Sequence, residues 1–91
     1  MKKLLFVADP LSSFVVKKDS TLAMMKASQQ RGHEVWHCQI DHLKSVDSFV
    51  QADCKQIEIT PHEDSWFKEV RAQVQKLCEF DAIIMRKDPP F

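Results

Sequence analysis

Two short charged clusters mark where this sequence could do chemistry: Lys17-Lys18-Asp19-Ser20 and Arg86-Lys87-Asp88. The planar guanidinium of Arg86 can grip a carboxylate through two parallel hydrogen bonds, while Lys18 offers a point charge on a flexible stem. Asp19 or Ser20 can cap a helix, and the helix N-terminus adds the positive end of a dipole. Each cluster follows a predicted strand, and in open α/β sheets ligands collect beyond the carboxyl ends of the strands. If the two strands are neighbours, both clusters line one rim suited to an anionic substrate such as an amino acid or a peptide. The same residues also read as a solvated, capped helix start and a loop with a local ion pair.

The other reactive residue types form weaker patterns. His33, His37 and His42, with Cys38 among them, lie close together but reproduce no zinc-ligand spacing, and we read them as structural or surface groups. Cys38, Cys54 and Cys78 are odd in number and lack any C-x-x-C pair, so neither a disulfide framework nor a zinc ribbon is indicated. Cys54 and Cys78 continue apolar patterns and read as small core residues, as do Met24, Met25, Trp36 and Trp66. Glu63-Asp64 suit a helix N-terminus rather than acid–base work, and no G-x-S-x-G elbow occurs. A single glycine, Gly32, excludes a glycine-rich phosphate loop. On residues alone the expectation is therefore an α/β domain with one polar rim, no catalytic residue and no metal site of its own.

Composition narrows the partners. The 91 residues suit one domain, and 13 basic against 13 acidic side chains leave no electrostatic footprint for nucleic acid or an anionic membrane. The apolar run Leu4–Ala8 ends at Asp9-Pro10, short of the about seven residues of a signal core and the about eighteen of a membrane span. A cytoplasmic location is expected.

The elements that would position the clusters follow from periodicity. Lys3 to Ala8 reads as a strand buried on both faces, suited to the centre of a parallel sheet. A helix from Asp19 or Ser20 carries Leu22, Met24, Met25 and Ala27 and ends at Gly32, and Val35 to Ile40 completes a β-α-β unit. Between Asp41 and Ile59 the period changes to two, predicting antiparallel strands with a turn near Asp47-Ser48. Thr60-Pro61-His62-Glu63 has the form of a capping box. It predicts a second helix with Trp66, Phe67, Val70, Val74, Leu77 and Cys78 on one stripe. A last strand, Ala82 to Met85, leads into Arg86. The predicted architecture is α/β: a three-layer domain over residues 1–91 with a mostly parallel sheet, two helices and a hairpin insertion. An ending on Pro-Pro-Phe straight after a charged strand tip reads as a cut before further chain.

Several blocks together resemble the N-terminal domain of bacterial glutathione synthetase. They are Asp9-Pro10, Lys17-Lys18-Asp19-Ser20 with Ala23-Met24, Gln30-Arg31-Gly32-His33-Glu34, Asp64-Ser65-Trp66-Phe67, and Met85-Arg86-Lys87-Asp88-Pro89-Pro90-Phe91. The final heptapeptide is the most specific block, and Asp41 to Ile59 is only loosely similar. The resemblance implies a Rossmann-like pre-ATP-grasp domain of a ligase that joins γ-glutamylcysteine to glycine with ATP and Mg²⁺. It places the ATP- and Mg²⁺-binding residues in later ATP-grasp domains, so residues 1–91 alone are expected to be inactive. It also implies symmetric subunit assembly. Carried onto matching positions, it makes Arg86 the candidate for the substrate carboxylate, with Lys18 and Asp88 as rim partners. Asp9, Asp19 and Ser20 would shape the loop and the helix start. Two alternatives stay open: an ATP-grasp ligase for another peptide or amino acid, and a non-catalytic binding or assembly module.

Overall fold

In the computed structural model, which describes residues 2–8, 10–11, 20–60 and 66–86, the apolar run near the N-terminus forms strand β1 (Lys3–Val7). Its side chains alternate between two cores. Phe6 joins Leu22, Met25, Val35, Ile57 and Trp66 on one face, while Leu5 and Val7 join Trp36, Cys38, Cys54 and Phe80 on the other. A strand apolar on both sides belongs in the middle of a sheet, and β1 lies between β2 (Glu34–Cys38) and β6 (Ala82–Met85), parallel to both.

Helix α1 (Ser20–Gln30) links β1 to β2 and covers the Phe6 face through Thr21, Leu22 and Met25. Gly32 has φ 84°, and its N–H donates to Gln29 O at 2.9 Å while that of His33 donates to Ser28 O at 3.1 Å. This paired closure requires a left-handed residue, which glycine adopts without steric cost.

The period-two segment forms β3 (Leu43–Val46) and β4 (Phe49–Ile59), joined by a tight turn in which Asp47 has φ 53°. Along one edge β4 pairs antiparallel with both β2 and β3, and along the other with β5 (Phe67–Lys76). The sheet is therefore mixed and mostly antiparallel, with parallel pairing confined to β1 and its two neighbours. This corrects the mostly parallel, Rossmann-like, three-layer expectation.

The correction originates in β5, where a helix was expected. Trp66 to Cys78 has apolar residues at helical spacing, yet Val70 and Val74 are 43% and 58% exposed. Long-range pairing prevails over that local pattern: β4 offers an eleven-residue ladder edge, and the β-branched valines fit a pleated strand. A register shift at Gln56/Ile57 accommodates Val70. Thr60 donates its N–H to Trp66 O at 2.7 Å, drawing the ends of the intervening segment together. Pro61, His62 and Glu63 lie outside the described residues.

With α1 the single α-helix among the described residues, the second face of the sheet is covered by the sheet's own curl. Lys3 of β1 reaches Gln75 of β5, Nζ donating to Oε1 at 2.6 Å, although β2 and β4 lie between those strands. The ammonium also lies 5.4 Å from the Trp36 ring centroid and 5.1 Å from that of Phe80. Cys54 is buried in this second core, whereas Cys78, expected in a core, is exposed.

Candidate functional site

Parallel pairing aligns the carboxyl ends of three strands. Val7 stands opposite Cys38 on one side and Met85 on the other. The ladders continue one step beyond the strands: Ala8 N donates to Cys38 O at 3.1 Å, and Arg86 N donates to Val7 O at 2.8 Å. Arg86 is thereby fixed by its backbone at the rim next to the end of β1. Its side chain is exposed, and Nε donates to Oγ1 of the buried Thr21, in the first turn of α1, at 3.3 Å.

Of the two clusters singled out in the sequence, Ser20 and Arg86 are among the described residues. β1 and β6 are neighbours, and Arg86 contacts the helix start into which the first cluster leads, where Ser20 is the first residue of α1. Asp9, Lys18, Asp19 and Asp88 lie outside the described residues. The sequence reading missed Thr21. A hydroxyl one residue inside a predicted helix start is a weak signal, and its value depends on a contact across 65 positions of chain. A guanidinium beside a helix N-terminus concentrates positive charge and donors at one place, which suits a carboxylate or another planar anion.

A groove of about 610 Å³ opens beside the end of β2, between Pro10 and Leu11 after β1 and the β4–β5 ribbon. His37, Asp53, Lys55 and Glu69 give it polar groups, with Leu11 and Phe67 as apolar wall. Lys55 and Glu69 approach each other at 3.9 Å on adjacent strands. Arg86 is not on this wall. The groove and the guanidinium are separate features of the rim.

The histidines have separate tasks. His33, before β2, accepts Lys2 N–H through Nδ1 at 3.2 Å, and His42, beyond β2, accepts Gln39 N–H through Nδ1 at 3.1 Å. His37 is buried on β2 between them. No group of three His, Cys, Asp or Glu side chains among the described residues is placed to hold a metal ion. Gly32 closes a helix rather than opening one, so its backbone forms no cradle for a nucleotide phosphate.

Comparison with known proteins decides the family. Residues 2–91 match the family described as prokaryotic glutathione synthetase, N-terminal domain. The chain belongs to this family. It is 41% identical over 91 residues to a glutathione synthetase of Vibrio parahaemolyticus, covering 100% of the chain and 29% of the relative. It is 38% identical over 89 residues to that of Ralstonia nicotianae, covering 98% and 28%, and 35% identical over 91 residues to that of Escherichia coli K12. The chain therefore spans about 29% of the length of such glutathione synthetases. The family match includes Arg86, Thr21 and the groove-lining strands, so the rim described above belongs to the glutathione synthetase N-terminal domain. No helix among the described residues is long and apolar enough to cross a membrane.

Proposed function

We propose that residues 1–91 form the substrate-side domain of a cytoplasmic, ATP- and Mg²⁺-dependent ligase that joins γ-glutamylcysteine to glycine. The observation that carries this reading is a full-chain match to a family named for that product, together with a guanidinium held at the carboxyl rim of a parallel strand pair. In this reading Arg86 receives a carboxylate of the peptide substrate, at the place where the positive end of α1 also points. Lys18 and Asp88 act as rim partners, and Asp9, Asp19 and Ser20 shape the approach to the helix. ATP and Mg²⁺ supply the activation of the acyl group when bound, and residues outside 1–91 hold them. This domain's part is to bind and orient the peptide and to make contacts within and between subunits.

The test uses the full-length protein. ADP release should require γ-glutamylcysteine, glycine and Mg²⁺ together and should match tripeptide formation one for one. ADP release coupled to a different amine or acid would reject the substrate assignment. Residues 1–91 alone should give no ligation, because positioning and charge neutralisation at a transferring phosphoryl group require side chains that the described residues do not offer.

A further inference from the structure

Where the carboxyl end of β2 meets β4, two nucleophilic side chains come together in the lining of the groove. The antiparallel register of β2 and β4 runs Val35 to Ile57, Trp36 to Gln56 and His37 to Lys55, so its next step sets Cys38 opposite Cys54. Directly opposed residues of an antiparallel pair have Cα atoms about 4.5 or 5.5 Å apart, and both separations fall within the roughly 4.4–6.8 Å that a disulfide spans. Both side chains enter the same core cluster, and each is 1% exposed. The Cys54 thiol donates to Ala52 O at 3.4 Å. Cys78 is exposed and outside this pair.

The environment makes the two sulfurs unequal. The neighbouring Cys38 side chain holds the Cys54 thiol below the ordinary range against the opposing effect of burial, and the Lys3 ammonium helps. The Cys54 side chain, followed by burial, pushes Cys38 well above the ordinary range. These opposite directions favour Cys54 as the attacking sulfur and Cys38 as the one that resolves the intermediate.

We propose that Cys38 and Cys54 are a dithiol that a small hydroperoxide converts to a disulfide bridging β2 and β4. In the first step the Cys54 thiolate attacks a peroxide oxygen and the O–O bond breaks, giving a sulfenic acid and hydroxide, which takes up the proton released by the thiol. In the second, the Cys38 sulfur attacks the Cys54 sulfur, the S–O bond breaks, and water leaves with the Cys38 proton. Two thiols lose two protons and two electrons, and hydrogen peroxide is reduced to two waters. A hydroperoxide suits a pair this deeply buried because it is close to water in size, and the product adds no atom to a packed core. A mixed disulfide with a bulky thiol would overpack the same space. The bridge ties the carboxyl end of β2 to β4 beside the groove and closes the intervening loop through β3.

Peptide mapping of the full-length protein tests this directly, because trypsin places the three cysteines in separate peptides: Gly32–Lys44, Ser45–Lys55 and Leu77–Arg86. After treatment with hydrogen peroxide and alkylation under denaturing conditions, the first two peptides should appear joined, lighter by two hydrogens than their sum, and separate again with dithiothreitol. Cys38→Ser should stop the reaction at a sulfenic acid on Cys54 that dimedone traps. The oxidised protein should unfold about 5–15 °C higher than the reduced one, as expected for closing a loop of this length. Cys38 and Cys54 remaining fully alkylatable at peroxide levels that oxidise Cys78 would overturn the proposal. So would Cys54 advancing to sulfinic acid without a cross-link, or a link that recruits Cys78. The mapping needs no variant, so a substitution that fails to fold does not weaken it.

Discussion

Gln29 offers a sharp test of how α1 is tied to the antiparallel half of the sheet. Its amide occupies the position of a strand neighbour for Ile59, the last residue of β4: Nε2 donates to Ile59 O at 2.9 Å and Oε1 accepts Ile59 N–H at 2.6 Å. Ile59 is only 8% exposed, so water replaces those partners poorly. Gln29→Leu keeps the size of the side chain and removes both hydrogen bonds. At about 0.5–1.5 kcal/mol net for each bond, plus part of the penalty for leaving buried backbone groups unpaired, the local loss is about 2–3 kcal/mol. At about 1.4 kcal/mol per tenfold, hydrogen exchange at the Ile59 amide in the full-length protein should accelerate by about 30–100-fold. The Phe6 amide in central β1 should change little. Gln29→Glu, which keeps the acceptor and loses the donor, should fall between. Ile59 exchange within about threefold of the parent in Gln29→Leu would refute the claim that this amide closes the end of β4.

Gly32→Ala should cost about 1–2 kcal/mol in urea unfolding from backbone strain alone, since a Cβ there meets nothing within 4 Å while φ is +84°. Gly32→Asn should cost less, and equal midpoints for glycine and alanine would contradict the left-handed cap. Trp36→Ala should cost about 3–5 kcal/mol, because the ring is buried, packs edge-on to Phe80 at 5.9 Å and donates to Glu34 Oε1 at 3.0 Å. A loss below about 1 kcal/mol would mean that the curl of the sheet does not depend on this ring.

The sequence reveals the parallel half of the fold more clearly than the antiparallel half, and the reasons are physical. Leu4 to Val7 can be apolar at every position only in a strand with cover on both faces, and Gly32 punctuates α1 through local geometry. Asp47, next to a period-two run, likewise marks its own turn. β5 has no such local signature. Its conformation depends on the unfilled edge of β4, a long-range partner, and its apolar residues happen to suit helical spacing as well. The same division runs through the site. Arg86 was recognisable as the residue after a strand at the rim, because a parallel neighbour to β1 would bring it there. Its contact with Thr21 was not, since a helix residue and a strand end far apart in the chain meet only after β1 and β6 pair. The Cys38–Cys54 pair escaped notice for a related reason: register between β2 and β4 cannot be read from either strand separately.

Steady-state kinetics of Arg86→Ala in the full-length protein, with γ-glutamylcysteine as the varied substrate, test the central claim most directly. Losing a charge-assisted contact worth about 1.5–3 kcal/mol should raise KM for γ-glutamylcysteine by about 10–100-fold while KM for ATP stays within about twofold. Thr21→Val, which removes the hydrogen bond to Arg86 and keeps the shape of the helix start, should produce a smaller effect in the same direction. An unchanged KM and turnover for γ-glutamylcysteine in Arg86→Ala would contradict the assignment of the rim as the substrate carboxylate site.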